Sequence, residues 1–61
     1  MKRKKLIQYI ESCGCQFLRE GANHTIYFNP NSAKQSAIPR HTEIHPFLAR
    51  KICKDLLIPP C

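Results

Sequence analysis

Acidic residues are scarce: the 61-residue chain has 4 Asp+Glu against 10 Lys+Arg, a formal charge of +6 with its three histidines neutral. No cluster of carboxylates is available to hold a pair of divalent ions, which argues against a two-metal nuclease. Long apolar runs are missing too. None approaches the ~20 residues that span a bilayer. The basic Met1-Lys2-Arg3-Lys4-Lys5 leads into an interrupted Leu6-Ile7-Gln8-Tyr9-Ile10-Glu11 rather than the apolar core of a secretion signal. Membrane insertion and export are therefore not expected, and a cytoplasmic setting is. The length leaves room for a single domain, residues 1–61, with one thin core, because a chain of this size withdraws only about 60% of its unfolded surface from water. A dedicated partner would support so small a fold.

Cysteine is present four times, but in no pattern that builds a site. Cys13 and Cys15 flank one glycine, closer than the spacing of a zinc knuckle, and no second pair answers them. Four thiols allow three disulfide connectivities, yet nothing directs the chain to an oxidising compartment. Cys13, Cys15, Cys53 and Cys61 are accordingly expected to be reduced, small apolar side chains. No metal ion or other cofactor is expected.

What is there reads as five elements. Leu6, Ile7, Ile10 and Cys13 recur at steps of three and four, one stripe of an amphipathic helix over 4–13, and Gly14 supplies the left-handed residue that ends it. Cys15, Phe17 and Arg19 alternate with Gln16, Leu18 and Glu20 as a strand before a turn at Gly21-Ala22-Asn23. His24-Thr25-Ile26-Tyr27-Phe28 is β-branched and aromatic, the clearest strand in the chain. After the turn composition of Asn29 to Lys34, Gln35-Ser36-Ala37-Ile38 returns as a third antiparallel strand that Pro39 ends. Arg40 to His45 lacks periodicity and reads as a loop, with His45 opening a second helix and Pro46 at its first position. Leu48, Ala49, Ile52, Cys53 and Leu56 form one face of this helix, near 46–56, and Arg50, Lys51 and Lys54 another, before Pro59-Pro60 stop it. The order is α-β-β-β-α. Two single-striped helices need a common surface, and one face of the sheet supplies it, giving an α+β two-layer sandwich built like double-stranded RNA-binding domains.

Basic residues fall at Lys2 to Lys5, at Arg19 beside the hairpin, at Lys34 and Arg40 around the third strand, and at Arg50, Lys51 and Lys54. Such a field suits a polyanion, since each neutralised phosphate releases counterions. An acidic protein partner would be attracted by the same field, and many such charges are merely solvated.

The stretch Arg19-Glu20-Gly21-Ala22-Asn23-His24-Thr25-Ile26-Tyr27, followed by Ile38-Pro39-Arg40-His41, resembles HicA-type toxins. That family's pattern is a Gly-containing turn, Ser or Asn, an active-site His, and an aromatic residue three positions later, with a Pro-Arg-His motif after the third strand. Gly21, Asn23, His24 and Tyr27 match the first part, and Pro39, Arg40 and His41 the second. The resemblance extends from Leu6 through Pro59, with Ala22 standing where a second Gly is common. It implies a fold like a degenerate double-stranded RNA-binding domain and an endoribonuclease that cleaves mRNA. It also implies a HicB-like antitoxin, whose acidic groups would complement the basic toxin and cover the His24 face.

The chemistry is coherent with that resemblance. Imidazole is the side chain best able to exchange a proton near neutral pH, and RNA carries its own nucleophile in the 2′-OH. Cleavage by His24 as general acid or base then needs no metal, provided cations meet the charge on the phosphate. Arg19, Asn23, Lys34, Arg40 and His41 are the candidate RNA contacts. Taken without the family pattern, His24 reads as a half-exposed strand residue bonded to its turn, and His41 as a loop residue next to Arg40 that simply positions the loop. Tyr27 reads as packing or lining, its hydroxyl titrating far from neutral pH. The competing functions are a small RNA-binding domain without catalysis, including a toxin whose activity has decayed, and a protein-interaction domain whose basic face serves only its acidic partner.

Overall fold

The computed structural model describes residues 1–60; Cys61 lies outside them. Five elements follow in the expected order: α1 (Arg3–Ser12), β1 (Gln16–Glu20), β2 (His24–Asn29), β3 (Lys34–Pro39) and α2 (Pro46–Asp55). The strands form one antiparallel sheet with β2 in the centre. Along β2, Thr25, Tyr27 and Asn29 are buried and the residues between them are not; along β3, Ser36 and Ile38 are buried. Leu6 and Ile10 of α1 and Ala49, Ile52 and Cys53 of α2, with Leu56 just beyond it, close on Tyr27 and Ile38 in a single core. Both helices therefore cover the same sheet face, and the other face is left to solvent.

β1 departs from the simple alternation expected of it. The pairing runs Phe17 to Tyr27 and then Arg19 to Ile26, so Leu18 is an extra residue in a β-bulge. A bulge twists and bends the strand that carries it, and all five residues of this edge strand are exposed. Burial at this end of the chain falls on Cys15, just ahead of the strand, and burial pushes its thiol pKa up, with Cys13 adding to the shift. Cys13 and Cys15 are free thiols.

Both helices end in the same backbone motif. After α1, the N–H of Cys15 donates to the Ile10 carbonyl (3.0 Å) and that of Gly14 to Glu11 (3.0 Å), with Gly14 at φ +93°. After α2, Ile58 donates to Cys53 (3.0 Å) and Leu57 to Lys54 (3.1 Å), with Leu57 at φ +56°. These are paired Schellman bonds, which satisfy carbonyls left open by the last turn. Pro59 and Pro60 thus do not stop α2; the chain has already turned at Leu57. At the start of α2 the reading of His45 holds, since its Nδ1 accepts the Phe47 N–H at 3.2 Å.

The loop between β3 and α2 is strapped to the N-terminus. The Met1 ammonium donates to the Ile44 carbonyl (3.0 Å), the Ile44 N–H donates to the Met1 carbonyl (2.7 Å), and the Arg3 N–H donates to Thr42 (2.8 Å). Lys2 adds an ion pair to Glu43 at 2.9 Å. Held this way, Ile44 joins the core at 2% exposure. No helix among the described residues is long and apolar enough to cross a membrane.

Candidate active site

The turn ahead of β2 is narrow. The Gly21 N–H donates to the His24 carbonyl at 2.7 Å, and a Cβ at Gly21 would stand 3.2 Å from that same oxygen. Any side chain there would push on the backbone of His24. Ala22, in place of the family's second glycine, is not among the residues of positive φ, so the turn accommodates it without strain.

His24 opens β2 opposite Pro39, the last residue of β3. Being one step out of phase with buried Thr25, it lies on the solvent side of the sheet and is exposed. The chain continues from Pro39 into Arg40 and His41. As a result Asn23, His24, Pro39, Arg40 and His41 line one cavity of about 430 Å³ at this end of the sheet. Four of the predicted site residues, separated in sequence into two motifs, are brought together by the pairing of β2 with β3.

Arg40 also holds the turn. Its guanidinium donates to the carbonyls of Ala22 (3.2 Å) and Gly21 (2.8 Å) and forms an ion pair with Glu20. With three of its five N–H donors engaged, two remain. Glu20 in turn accepts the Thr25 hydroxyl at 3.1 Å, and Arg3 donates to the Thr25 oxygen (2.9 Å) and to the Pro39 carbonyl (2.9 Å). The hydrogen bond from Arg40 holds the Glu20 carboxyl below its ordinary value against an opposing cost of desolvation, aided by Thr25 and by the charges of Arg40 and Arg3. The two ends of the hairpin strands, the turn and the first residue of α1 are thereby tied into one polar chain behind His24. Arg3, Glu20 and Thr25 were not singled out by sequence reasoning. The available signal was Thr25 itself, a hydroxyl at an inward position of the central strand that required a partner.

Two candidates lie apart from the cavity. Arg19 faces Ile26 across β1 and β2, one strand over from His24. Lys34 pairs with Asn29 at the opposite end of the sheet, roughly 17 Å from Pro39 at ~3.4 Å per residue. Tyr27 points the other way: it is buried under the helices and donates to Glu11 at 3.0 Å, and burial, then Glu11, pushes its hydroxyl pKa up. It packs and does not line the cavity. Among the described residues, no three His, Cys, Asp or Glu side chains converge as metal ligands.

Fold and site together define a small basic α+β domain whose sheet carries a histidine cavity at the hairpin end. Residues 3–58 match the family described as the HicA toxin of bacterial toxin–antitoxin systems, and the chain belongs to that family. It is the toxin member of such a system, and an antitoxin is its partner. Neither curated proteins nor solved structures gave a match.

Proposed function

We propose that this toxin is a metal-independent endoribonuclease acting on mRNA in the cytoplasm, with His24 as general acid or base and a HicB-like antitoxin as its inhibitor. The observation that carries this reading is the shared cavity of His24, His41, Arg40 and Asn23. Cleavage of RNA without a metal requires two proton transfers: one off the attacking 2′-OH, one onto the departing 5′-oxygen. The 2′-oxygen bonds to phosphorus as the P–O5′ bond breaks, leaving a 2′,3′-cyclic phosphate and a 5′-hydroxyl. Two imidazoles on the walls of one cavity suit the two transfers, with His24 on the rigid strand and His41 on the loop. Arg40, its remaining donors free and its position fixed by the turn, meets the charge that grows on the phosphate oxygens. Asn23 and Arg19 flank His24 as further contacts, and Lys34 serves RNA running along the sheet.

The test is incubation of purified, partner-free protein with labelled RNA in EDTA, beside a His24→Ala variant. The parent is expected to yield cyclic-phosphate ends and the variant to lose cleavage by ~10²–10⁴-fold while keeping its fold, because an exposed histidine carries little packing. Growth arrest on expression should disappear with the activity. Cleavage by the variant at the parent's rate, or cleavage by the parent only with added Mg²⁺, refutes the mechanism. RNA binding without scission by the parent would make the protein a binding module.

A further inference from the structure

A second, larger concavity, of about 760 Å³, shares Arg40 with the histidine cavity. Five of the chain's cations line it, Lys2, Arg3, Lys4, Lys5 and Arg40, with Thr42 beside them and no carboxylate in its wall. Two of the five are ion-paired within the fold: Lys2 with Glu43, and Arg40, which keeps two donors toward the histidine cavity's phosphate, with Glu20. Arg3 is spent on Thr25 and Pro39. Lys4 and Lys5 are exposed and have no ion pair or side-chain hydrogen bond among the described residues. The fold gains nothing visible from these two charges.

Continuity with the catalytic cavity is the second observation. Arg40 lines both hollows, and His41 and Thr42, neighbours in the chain, belong one to each. The strap between the N-terminus and residues 42–44 fixes α1 against this loop, so the relation of the two hollows is built into the fold. A strand whose scissile phosphate sits at His24 has one cationic, concave exit over Arg40.

We propose that the groove at the start of α1 binds the RNA backbone on one side of the scissile phosphate, with Lys4 and Lys5 contacting successive phosphates. This rests on the reading of His24 and Arg40 as an RNA site and extends it. Lysine fits the task as a mobile point charge that reads no base, so the groove adds affinity without sequence preference.

The experiment uses the full chain with a 2′-O-methyl oligonucleotide, which binds but lacks the nucleophile, at several lengths and salt concentrations. A Lys4→Gln/Lys5→Gln variant should bind the longer oligonucleotides about tenfold more weakly. Its plot of log K against log salt should flatten by up to ~1.4 units, at ~0.7 per lost phosphate contact on a single strand. A dinucleotide, too short to reach the groove, should be cut at the parent's rate. Lys4→Arg/Lys5→Arg should restore binding, and Arg50→Gln/Lys54→Gln, an equal charge loss on α2, should have a smaller effect. An unchanged affinity and slope overturn the proposal, as does an equal loss in the α2 variant, which would mean a diffuse field. Weakened antitoxin binding with RNA binding intact also overturns it and assigns the groove to the antitoxin. Because binding is read without cleavage, a parent that cuts nothing yet loses affinity with Lys4 and Lys5 refutes the His24 mechanism and sustains the groove.

Discussion

At the scale of residues, Glu20 links the site to the fold. One oxygen of its carboxylate, Oε1, receives both Arg40 and the Thr25 hydroxyl, and Arg40 reaches from there over the turn that presents His24. Because the folded protein holds this carboxyl below its ordinary value, chiefly through the Arg40 hydrogen bond, folding favours the ionised form. The linked stabilisation is present above the unfolded carboxylate value of ~4.3 and is lost as pH falls through the lower folded value. Glu20→Gln should therefore lower the denaturation midpoint between pH 5 and pH 7. The gap from wild type should narrow as pH falls through the lowered folded value and the wild-type carboxyl takes up its proton as well. A gap that stays constant across that fall in pH would show that the charge on Glu20 is irrelevant and only its shape matters. The paired differences isolate Glu20 from Glu43, which Lys2 likewise holds below its ordinary value.

The elements are set by their ends as much as by their faces. Gly14 and Leu57 occupy equivalent left-handed positions after α1 and α2, with φ of +93° and +56°. A residue with a Cβ is strained by ~1–2 kcal/mol in that conformation, while glycine costs ~0.4–1 kcal/mol more to order from the unfolded chain. Leu57 is 62% exposed, so little packing is lost with its side chain. Leu57→Gly is thus expected to stabilise the protein by about 0.5 kcal/mol, a rise of roughly 2–4 °C in Tm for a domain of this size. Calorimetry on the two proteins reads this directly, and a fall in Tm would mean that Leu57 is held by packing that outweighs its strain. The contrast also explains what could be read in advance. Gly14 announced its turn by residue type, whereas Leu57 is a good helix former whose conformation is imposed by burial of Leu56 and Ile58 on either side.

The whole molecule depends on a core that the helices, the sheet and the loop between β3 and α2 complete together. Ile44, from a loop with no periodicity, is buried because Met1 to Arg3 fasten that loop by backbone bonds. Nothing local foretells this. Removing most of a buried isoleucine side chain costs ~2–5 kcal/mol, against a total of about 3–9 kcal/mol for a chain of this length. Ile44→Ala should therefore leave a large unfolded fraction at 37 °C by circular dichroism, and saturating antitoxin should restore the fold by mass action. A midpoint unchanged by Ile44→Ala would place the loop outside the cooperative unit.

Much was legible because it is local. The helical stripe of Leu6 and Ile10, the β-branched and aromatic composition of β2, the glycine after α1 and the proline at the start of α2 each express a backbone preference that neighbours in sequence satisfy. The element order and both helices on one face follow from those preferences, whereas the burial of Thr25, Tyr27 and Asn29 rather than Ile26 and Phe28, which turns His24 to solvent, does not. The bulge at Leu18 was hidden, since an edge strand exposed on both sides leaves no apolar record of its register. The joining of Asn23 and His24 to Arg40 and His41 depends on which residue of β3 faces His24, and that register is decided by pairing across the sheet. So is the double duty of Arg40, and so is the placing of Lys4 and Lys5 beside it. Those facts reside in contacts between residues 15 to 36 positions apart, which only the closed tertiary structure brings within a few ångströms.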